Sequence, residues 1–280
     1  MAVPLYRFRR MATIVSLHAH PDDESITVAG LLARSADAGH RVVLVFGTRG
    51  ELGTPVEGAL AEGEQLAIRR TSECYESARV LGAERVEFLG YVDSGMMGEP
   101  TNQEPWTFWQ ADVASAGRRL AAILAEEAAD ALTIYDDFGG YGHPDHIQVH
   151  RVGMRAAGVA GTPRVLQGTM NQDHIRRLAE MVRELTEEPP EEPEEEQIFG
   201  KPEAMITHAV DVADLLEVKR ASMRAHESQI GPDSWFLSMD DESFALAFGT
   251  EWFIEVGRTR GPDEPFLPWI LDDGATAGAA

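Results

Sequence analysis

The sequence predicts an α/β fold in which helices cover both faces of a mainly parallel β-sheet, the doubly wound arrangement. Apolar, strand-like stretches alternate with helix-like stretches four or five times between residues 12 and 168. The connections are of ordinary length, and right-handed crossovers place successive helices on the two faces of the sheet. With 280 residues, 44% of them hydrophobic, the chain is long enough to bury one substantial core.

Short apolar runs rich in β-branched residues are the predicted strands. They cover residues 12–18, 41–46, 86–89, 131–135 and 165–168. Each of the first four is followed by a stretch with helical periodicity, at residues 24–38, 62–81, 108–129 and 146–158. Gly39 and Gly82 stand at the predicted ends of the first two helices, where glycine is favoured.

A further helix is predicted over residues 171–186, and it leads into a tract of Glu and Pro at 187–198. Prolines among many like charges do not suit a helix interior or a packed strand, so this tract is predicted to be an acidic surface loop. A strand over 205–210 and a helix over 212–228 follow. The aromatic-rich end of the chain either packs back on the sheet or shapes the mouth of a site.

We therefore predict one domain over residues 1–280. Its core is residues 11–186, the part from 199 to 271 completes the fold, and residues 272–280 form a disordered tail.

The composition argues against several classes of partner. A net charge of −23 repels nucleic acid phosphates and anionic membranes. No apolar run approaches the roughly 20 residues of a membrane span. The basic first ten residues lead into a strand rather than a cleavable hydrophobic segment, and the single cysteine suits a reducing compartment. We expect a cytoplasmic protein without nucleic acid binding or membrane insertion, and leave a homo-oligomer open.

Two short loops each carry a dense cluster of metal-capable side chains. Residues 17–24 read Leu-His-Ala-His-Pro-Asp-Asp-Glu, and residues 139–146 read Gly-Gly-Tyr-Gly-His-Pro-Asp-His. Each lies between a predicted strand and a predicted helix. In open α/β sheets, ligands bind at the carboxyl ends of the strands, so we expect the two loops to be halves of one site. The loops that contain Glu51 and Asp93 fall at the same edge.

His20, Asp23 and His146 are the predicted metal ligands. A catalytic zinc commonly takes three protein ligands from His and carboxylate and keeps one position for water. Such an ion lowers the pKa of its water to about 7 and polarises a carbonyl. Fe²⁺ suits the same ligands. A single His-Pro-Asp sequence is more often an ordinary turn, so the prediction depends on having two of them at one edge.

Catalytic roles are predicted for four more residues of these loops. Asp22, beside a ligand but not needed as one, is placed to take a proton from the water. His143 is expected to stabilise an oxyanion or to protonate a leaving amine, with Asp145 holding its ring in one tautomer. Tyr141 adds a hydroxyl donor for the oxyanion.

The two motifs together, residues 19–24 and 142–146, resemble those of the LmbE-like or PIG-L family of zinc-dependent N-acetylglucosamine deacetylases. That family includes deacetylases of N-acetylglucosaminyl-phosphatidylinositol and of the mycothiol and bacillithiol pathways, and a mycothiol S-conjugate amidase. The resemblance covers at least residues 12–160 and implies a Rossmann-like fold. It implies the same metal ligands and the same general base, Asp22.

Less specific similarity extends to the predicted sugar-binding residues. The segments around Arg70 and Asp93 resemble those with which family members contact sugar hydroxyls, and the loop of Glu51 resembles one at the pocket edge. The alternative for Arg70 is an ion pair on the helix surface with Glu73 or Glu76.

The resemblance implies a zinc hydrolase that removes an N-acetyl group from an N-acetylglucosamine-type conjugate. Two alternatives on the same scaffold are a thiol-conjugate amidase and a deacetylase that tailors a natural product. A non-catalytic carbohydrate-binding module is a more remote alternative. The first strand is followed by His-Pro-Asp-Asp rather than Gly-x-Gly-x-x-Gly, which disfavours nucleotide binding. Residues 226–229, His-Glu-Ser-Gln, resemble the end of a C-terminal helix in family members, where a structural role is expected.

Overall fold

One seven-stranded sheet runs through the protein, whose computed structural model describes residues 11–185 and 199–271. The strands are β1 Thr13–His18, β2 Arg41–Phe46, β3 Arg85–Phe88, β4 Ala131–Tyr135, β5 Arg164–Thr169, β6 His208–Asp211 and β7 Thr250–Glu255. The predicted acidic loop at 187–198 and the predicted tail at 272–280 lie outside the described residues.

The strand order is β3-β2-β1-β4-β5-β7-β6. Strands β1 to β5 pair in parallel, whereas β7 is antiparallel to both β5 and β6. The predicted, mainly parallel sheet is therefore confirmed. Strand β7 was not predicted. It inserts between β5 and β6, so residues beyond the acidic tract complete the same sheet.

Helices cover both faces of the sheet, as predicted. They are α1 Asp23–Thr27, α2 Ala29–Asp37, α3 Leu66–Leu81, α4 Val113–Glu126, α5 Pro144–Ala160, α6 Gln172–Leu185, α7 Leu216–Ala225, α8 Trp235–Ser238 and α9 Asp241–Phe248. On β1, Val15 and Leu17 pack in the core layer with α4 and α5, while Ile14 packs in the opposite layer with α2 and α3. None of the described helices has both the length and the apolar character that crossing a membrane requires.

The predicted helix over 24–38 is instead two helices, α1 and α2, with a break at Val28. Val28 has a φ of −139° and a ψ of 13°, which is neither helical nor extended backbone. Glu251 of β7 supplies the missing cap: its two carboxylate oxygens accept from the backbone N–H groups of Gly30 and Leu31 at 2.9 and 2.8 Å. A carboxylate at a helix N-terminus is favourable because it binds the free N–H groups and meets the positive end of the helix dipole. This partner lies 221 residues away, so the local sequence does not reveal it.

Candidate active site

The first loop joins β1 to α1 and holds Asp22 in an unusual backbone conformation. Asp22 has a φ of 106°, a region that residues other than glycine rarely adopt and that costs on the order of 1–3 kcal/mol. Its backbone N–H donates to Oε2 of Glu24 at 3.1 Å, and its carbonyl accepts from the Ser25 hydroxyl at 2.6 Å. The turn directs Asp22 and Asp23 to the same carboxyl edge of the sheet.

The second loop joins β4 to α5 and is shaped by Asp136, which is fully buried. One carboxylate oxygen of Asp136 accepts from the backbone N–H groups of Phe138 and Gly140 at 2.9 and 3.0 Å. At the end of the loop, His143 caps α5: its Nδ1 accepts from the backbone N–H of Asp145 at 3.1 Å. An acceptor nitrogen carries no proton, so a neutral His143 carries its proton on Nε2.

The structure brings the three predicted metal ligands together. Nδ1 of His20 lies 3.6 Å from Oδ2 of Asp23, and Nε2 of His146 lies 3.4 Å from Oδ1 of the same carboxylate. All three residues are buried. One carboxylate thus faces one ring nitrogen from each of two imidazoles, which is a donor set that suits zinc or iron(II).

Carboxylates also surround the other nitrogen of His20, and the backbone of Gly139 contacts His146. Nε2 of His20 lies 3.2 Å from Asp145 and 3.5 Å from Asp93. Burial opposes protonation, but Asp93, Asp145 and Asp23 together raise the pKa of His20 well above 6.5. Burial lowers the pKa of His146 to about 4, although Asp23 and a hydrogen bond to the backbone of Gly139 act in the opposite direction. Outer carboxylate and carbonyl partners of this kind orient the imidazole ligands of metals.

Two other trios of nearby metal-capable residues overlap this set. The ligand atoms of His20, His143 and His146 lie within 4.8 Å of one another, as do those of His20, Asp93 and Asp145. Asp93 and Asp145 meet His20 on Nε2, the side of the ring away from Asp23. Among the described residues, Asp23 is the one carboxylate that forms an ion pair with both His20 and His146, and we therefore favour it as the third ligand.

Asp22, the predicted base, sits beside this cluster in contact with Arg70. Nη2 of Arg70 lies 3.2 Å from Oδ2 of Asp22, and the same guanidinium donates to the carbonyls of Pro21 and Gly50. Burial raises the pKa of the Asp22 carboxyl to about 6, against the opposing effect of Arg70. Arg70 is itself buried and points into the site, so the alternative of a surface ion pair with Glu73 or Glu76 is wrong.

The expected partnership of Asp145 with the ring of His143 needs correction. The Asp145 carboxylate is bound by His20, by the backbone N–H of Ser94 at 2.9 Å and by the Ser94 hydroxyl. Only the backbone N–H of Asp145 meets His143. The physical reason is helical geometry, because side chains two residues apart at a helix start do not face each other. Asp145, which belongs to the second loop, thus orients His20 of the first loop.

The remaining predicted residues lie at the same edge. The Tyr141 hydroxyl is 3.4 Å from Nε2 of His146. Asp93 accepts from the backbone N–H groups of Gly95 at 2.9 Å and Leu52 at 3.3 Å. Glu51 accepts from the backbone N–H of Asp93 at 3.0 Å, so it braces the two outer loops against each other.

Three residues of the site escaped the sequence analysis. Ser94 holds Asp145, as described above. Tyr135, the last residue of β4, stacks on the ring of His146 with centroids 4.6 Å apart. His226 contacts Glu24 from the far end of the chain, at 2.5 Å. Ser94 and Glu24 stand inside the motifs that were noticed, so proximity to the motifs was the available signal. His226 stands inside the His-Glu-Ser-Gln segment at 226–229, for which the sequence predicted a structural role and not a contact with Glu24.

Fold and site together define an α/β protein with a buried histidine–carboxylate centre at the carboxyl edge of its sheet, of the kind that serves hydrolysis. Residues 15–157 match the family described as PIG-L, GlcNAc-PI de-N-acetylase. The chain belongs to this family, as the two motifs predicted, and is therefore an amide-hydrolysing deacetylase.

A curated relative from Thermobifida fusca is 40% identical over 275 residues, which cover 89% of this chain and 96% of the relative. That relative is named 1D-myo-inositol 2-acetamido-2-deoxy-alpha-D-glucopyranoside deacetylase. Among solved structures, N,N'-diacetylchitobiose deacetylase from Pyrococcus horikoshii has a TM-score of 0.59 at 23% identity, covering 89% of this chain and 85% of its own. The 4-carboxy-2-hydroxymuconate hydratase GalB from Pseudomonas putida has a TM-score of 0.53 at 17% identity, and the match covers 90% of this chain and 98% of the hydratase. At such identities, these structures show the shared fold alone.

Proposed function

We propose that the protein is a zinc-dependent deacetylase that removes the N-acetyl group from an N-acetylglucosamine unit joined to a polyol such as inositol. The observation that carries this proposal is the Asp23 carboxylate facing one nitrogen of His20 and one of His146, with Asp22 beside it. The name of the T. fusca relative supports the substrate class. The proposed setting is the cytoplasm.

His20, Asp23 and His146 would hold the metal. Zinc bound there would supply Lewis-acid activation of the attacking water and of the amide carbonyl. Iron(II) fits the same residues, and the metal content of the purified protein decides between the two ions.

Asp22 is the proposed general base. A carboxyl whose pKa is about 6 is mostly ionised at neutral pH, yet still basic enough to accept a proton from water. Arg70 favours the ionised form and fixes the direction of the carboxylate. Asp22 then holds the proton that the departing amine requires.

His143 is the proposed donor to the oxyanion. Its Nδ1 is used as the cap acceptor, so Nε2–H is the free donor. Burial, together with His20 and His146, lowers the pKa of His143 to about 4, so the ring is neutral at pH 7 and acts by hydrogen bonding rather than as a cation. The Tyr141 hydroxyl is a second donor, next to His146.

Arg70, Asp93 and Glu51 are the proposed sugar-side residues. Asp93 contacts His20, one of the proposed metal ligands, and Glu51 accepts a hydrogen bond from the backbone N–H of Asp93. The two acids tie the loop after β2 to the loop after β3, so a sugar held between these loops would present its acetamido group to the centre.

The test compares the zinc-loaded wild-type protein with Asp22→Asn over a panel of N-acetylglucosaminides that differ in the aglycone, together with a thiol-conjugate amide. We expect acetate release from the inositol conjugate, and a fall in kcat of about 10²- to 10⁴-fold in Asp22→Asn with its zinc retained. The exposed Asp37→Asn serves as the matched control. An Asp22→Asn protein with wild-type turnover would contradict the assignment of Asp22 as the general base. Preferential cleavage of the thiol conjugate would contradict the proposed inositol conjugate and indicate a thiol-conjugate amidase.

A further inference from the structure

The peptide between Pro21 and Asp22 is held from both sides by buried charged groups. The carbonyl of Pro21 accepts from the Arg70 guanidinium, and the N–H of Asp22 donates to Oε2 of Glu24 at 3.1 Å. On its other side, the carbonyl of Asp22 is already fixed by Ser25 at the start of α1. The φ of 106° at Asp22 is therefore maintained by the contacts of the peptide that precedes it.

Glu24 itself is fully buried and is fixed by residues of two other helices. Its Oε1 accepts from Nε2 of His226 at 2.5 Å, at the end of α7, and from the hydroxyl of Ser77 in α3 at 2.5 Å. Ser77 is in turn 2.8 Å from the hydroxyl of Ser222 in α7. One oxygen of Glu24 thus faces α3 and the end of α7, and the other faces the backbone of the proposed base.

We propose that Glu24 and His226 are positioning residues for Asp22. This inference rests on the proposed function, in which Asp22 is the base. His226 holds the Glu24 carboxylate, and Glu24 holds the left-handed turn of Asp22. When the acceptor is displaced, the backbone of Asp22 relaxes toward negative φ, and its carboxylate turns away from the cluster of His20 and Asp23.

A purely structural role for His226 makes a different prediction, because α7 and the segment after it have other tethers. Lys219 of α7 forms a buried ion pair with Glu251 at 2.7 Å. Just beyond α7, Ser228 donates to Glu73 through its backbone N–H at 2.9 Å and its hydroxyl at 2.7 Å. Ser228 and His226 are equally buried, but Ser228 has no contact with Glu24 among the described residues. Ser228→Ala is therefore a matched control for loss of a tether.

The experiment uses two amides at His226 in the zinc-loaded protein. The side-chain amide of Gln reaches about as far as Nε2 and can donate to Glu24, whereas that of Asn reaches only as far as Nδ1. We expect His226→Asn to lower kcat roughly 10- to 100-fold, with KM and zinc content unchanged, since a displacement of about 1 Å at a catalytic group costs that much. His226→Gln recovers most of the kcat. Ser228→Ala lowers the melting temperature but keeps the kcat.

Wild-type kcat in His226→Asn would overturn the proposal, and so would equal losses of kcat in His226→Asn and Ser228→Ala. A crystal structure of His226→Asn gives a readout independent of turnover: we expect the φ of Asp22 to leave the positive region, and an unchanged Asp22 backbone would refute the positioning. If the zinc-loaded wild type cleaves no member of the panel, the proposed function fails, while the crystal structure still decides whether His226 positions Asp22.

Discussion

Gly139→Ala gives a direct test of how tightly the second loop locates His146. Gly139 has a φ of 66°, and a Cβ placed on it would lie 2.5 Å from Cβ of His146 and 2.8 Å from the backbone N of Ile147. Ordinary contacts begin near 3.4 Å, so His146 or the start of α5 must move by about 0.9 Å, the difference between 3.4 and 2.5 Å. These atoms belong to a helix backbone and to the root of a side chain, and neither can rotate out of the way.

Gly140→Ala is the matched control. Gly140 also has a positive φ, of 79°, but the nearest atom to its added Cβ is the flexible end of Met170 at 3.8 Å. Both variants incur the left-handed backbone cost of about 1–2 kcal/mol. Only Gly139→Ala displaces His146, so the difference between the two variants isolates the displacement of the proposed ligand.

The assay measures zinc affinity by competition with a chelating dye, and kcat/KM on the cleaved substrate. We expect Gly139→Ala to lose roughly 10²-fold in kcat/KM and to bind zinc more weakly, because about 1 Å of misplacement has an effect of this size. Gly140→Ala is expected to melt a few degrees lower and to keep the zinc affinity of the wild type. Equal zinc affinity and equal kcat/KM in the two variants would refute the reasoning that Gly139 fixes the position of His146.

Further expectations concern the metal, the C-terminal tether and the dependence on pH. His146→Ala should purify with little zinc, and a full equivalent of zinc measured by elemental analysis would contradict the ligand set. Lys219→Met leaves the Glu251 carboxylate buried without its cation and should lower the free energy of unfolding by about 3–5 kcal/mol in denaturant titrations; a change below about 1 kcal/mol would contradict this. Burial acts to raise the pKa of Glu24 and to lower that of His226, but the two residues outweigh it in each other. His226 lowers the pKa of Glu24 from 4.5 to about 2, and Glu24 raises the pKa of His226 above 6.5. The contribution of Glu24 to the free energy of unfolding is thus present above pH 4.5 and lost as pH falls toward 2. The contribution of His226 is full below pH 6.5 and lost as pH rises through its pKa in the folded protein. The stability advantage of the wild type over His226→Gln should therefore be largest between about pH 4.5 and 6.5, and a constant difference across pH would refute the linkage.

The parallel half of the fold was predictable because its central strands β1, β2 and β4 are buried on both faces and so appear as continuous apolar runs. The predicted bounds 41–46 and 131–135 are those of β2 and β4. The convergence of the two His-Pro-Asp loops also followed, since it depends only on strand direction. Strand β7 was missed because its aromatic residues suited either core packing or a pocket wall.

Contacts that cross the chain could not be predicted. The break between α1 and α2 depends on Glu251, which is 221 residues from Gly30, and the position of Glu24 depends on His226, 202 residues away. Asp145 was assigned to its neighbour His143 because the two are close in sequence, whereas helical geometry points it to His20. In each case the partner is chosen by packing rather than by local sequence.

The place of β7 in the sheet has a consequence for the association of chains. Strand β7 pairs along the edge of β5 from Leu166 to Thr169, and the outer edge of the sheet passes to the four-residue β6. A chain that ended at Leu185 would leave the edge of β5 bare, as a template on which a strand of another molecule could pair. Residues 199–271 thus cover the edge of β5 against intermolecular strand addition, in addition to holding Asp22 through His226.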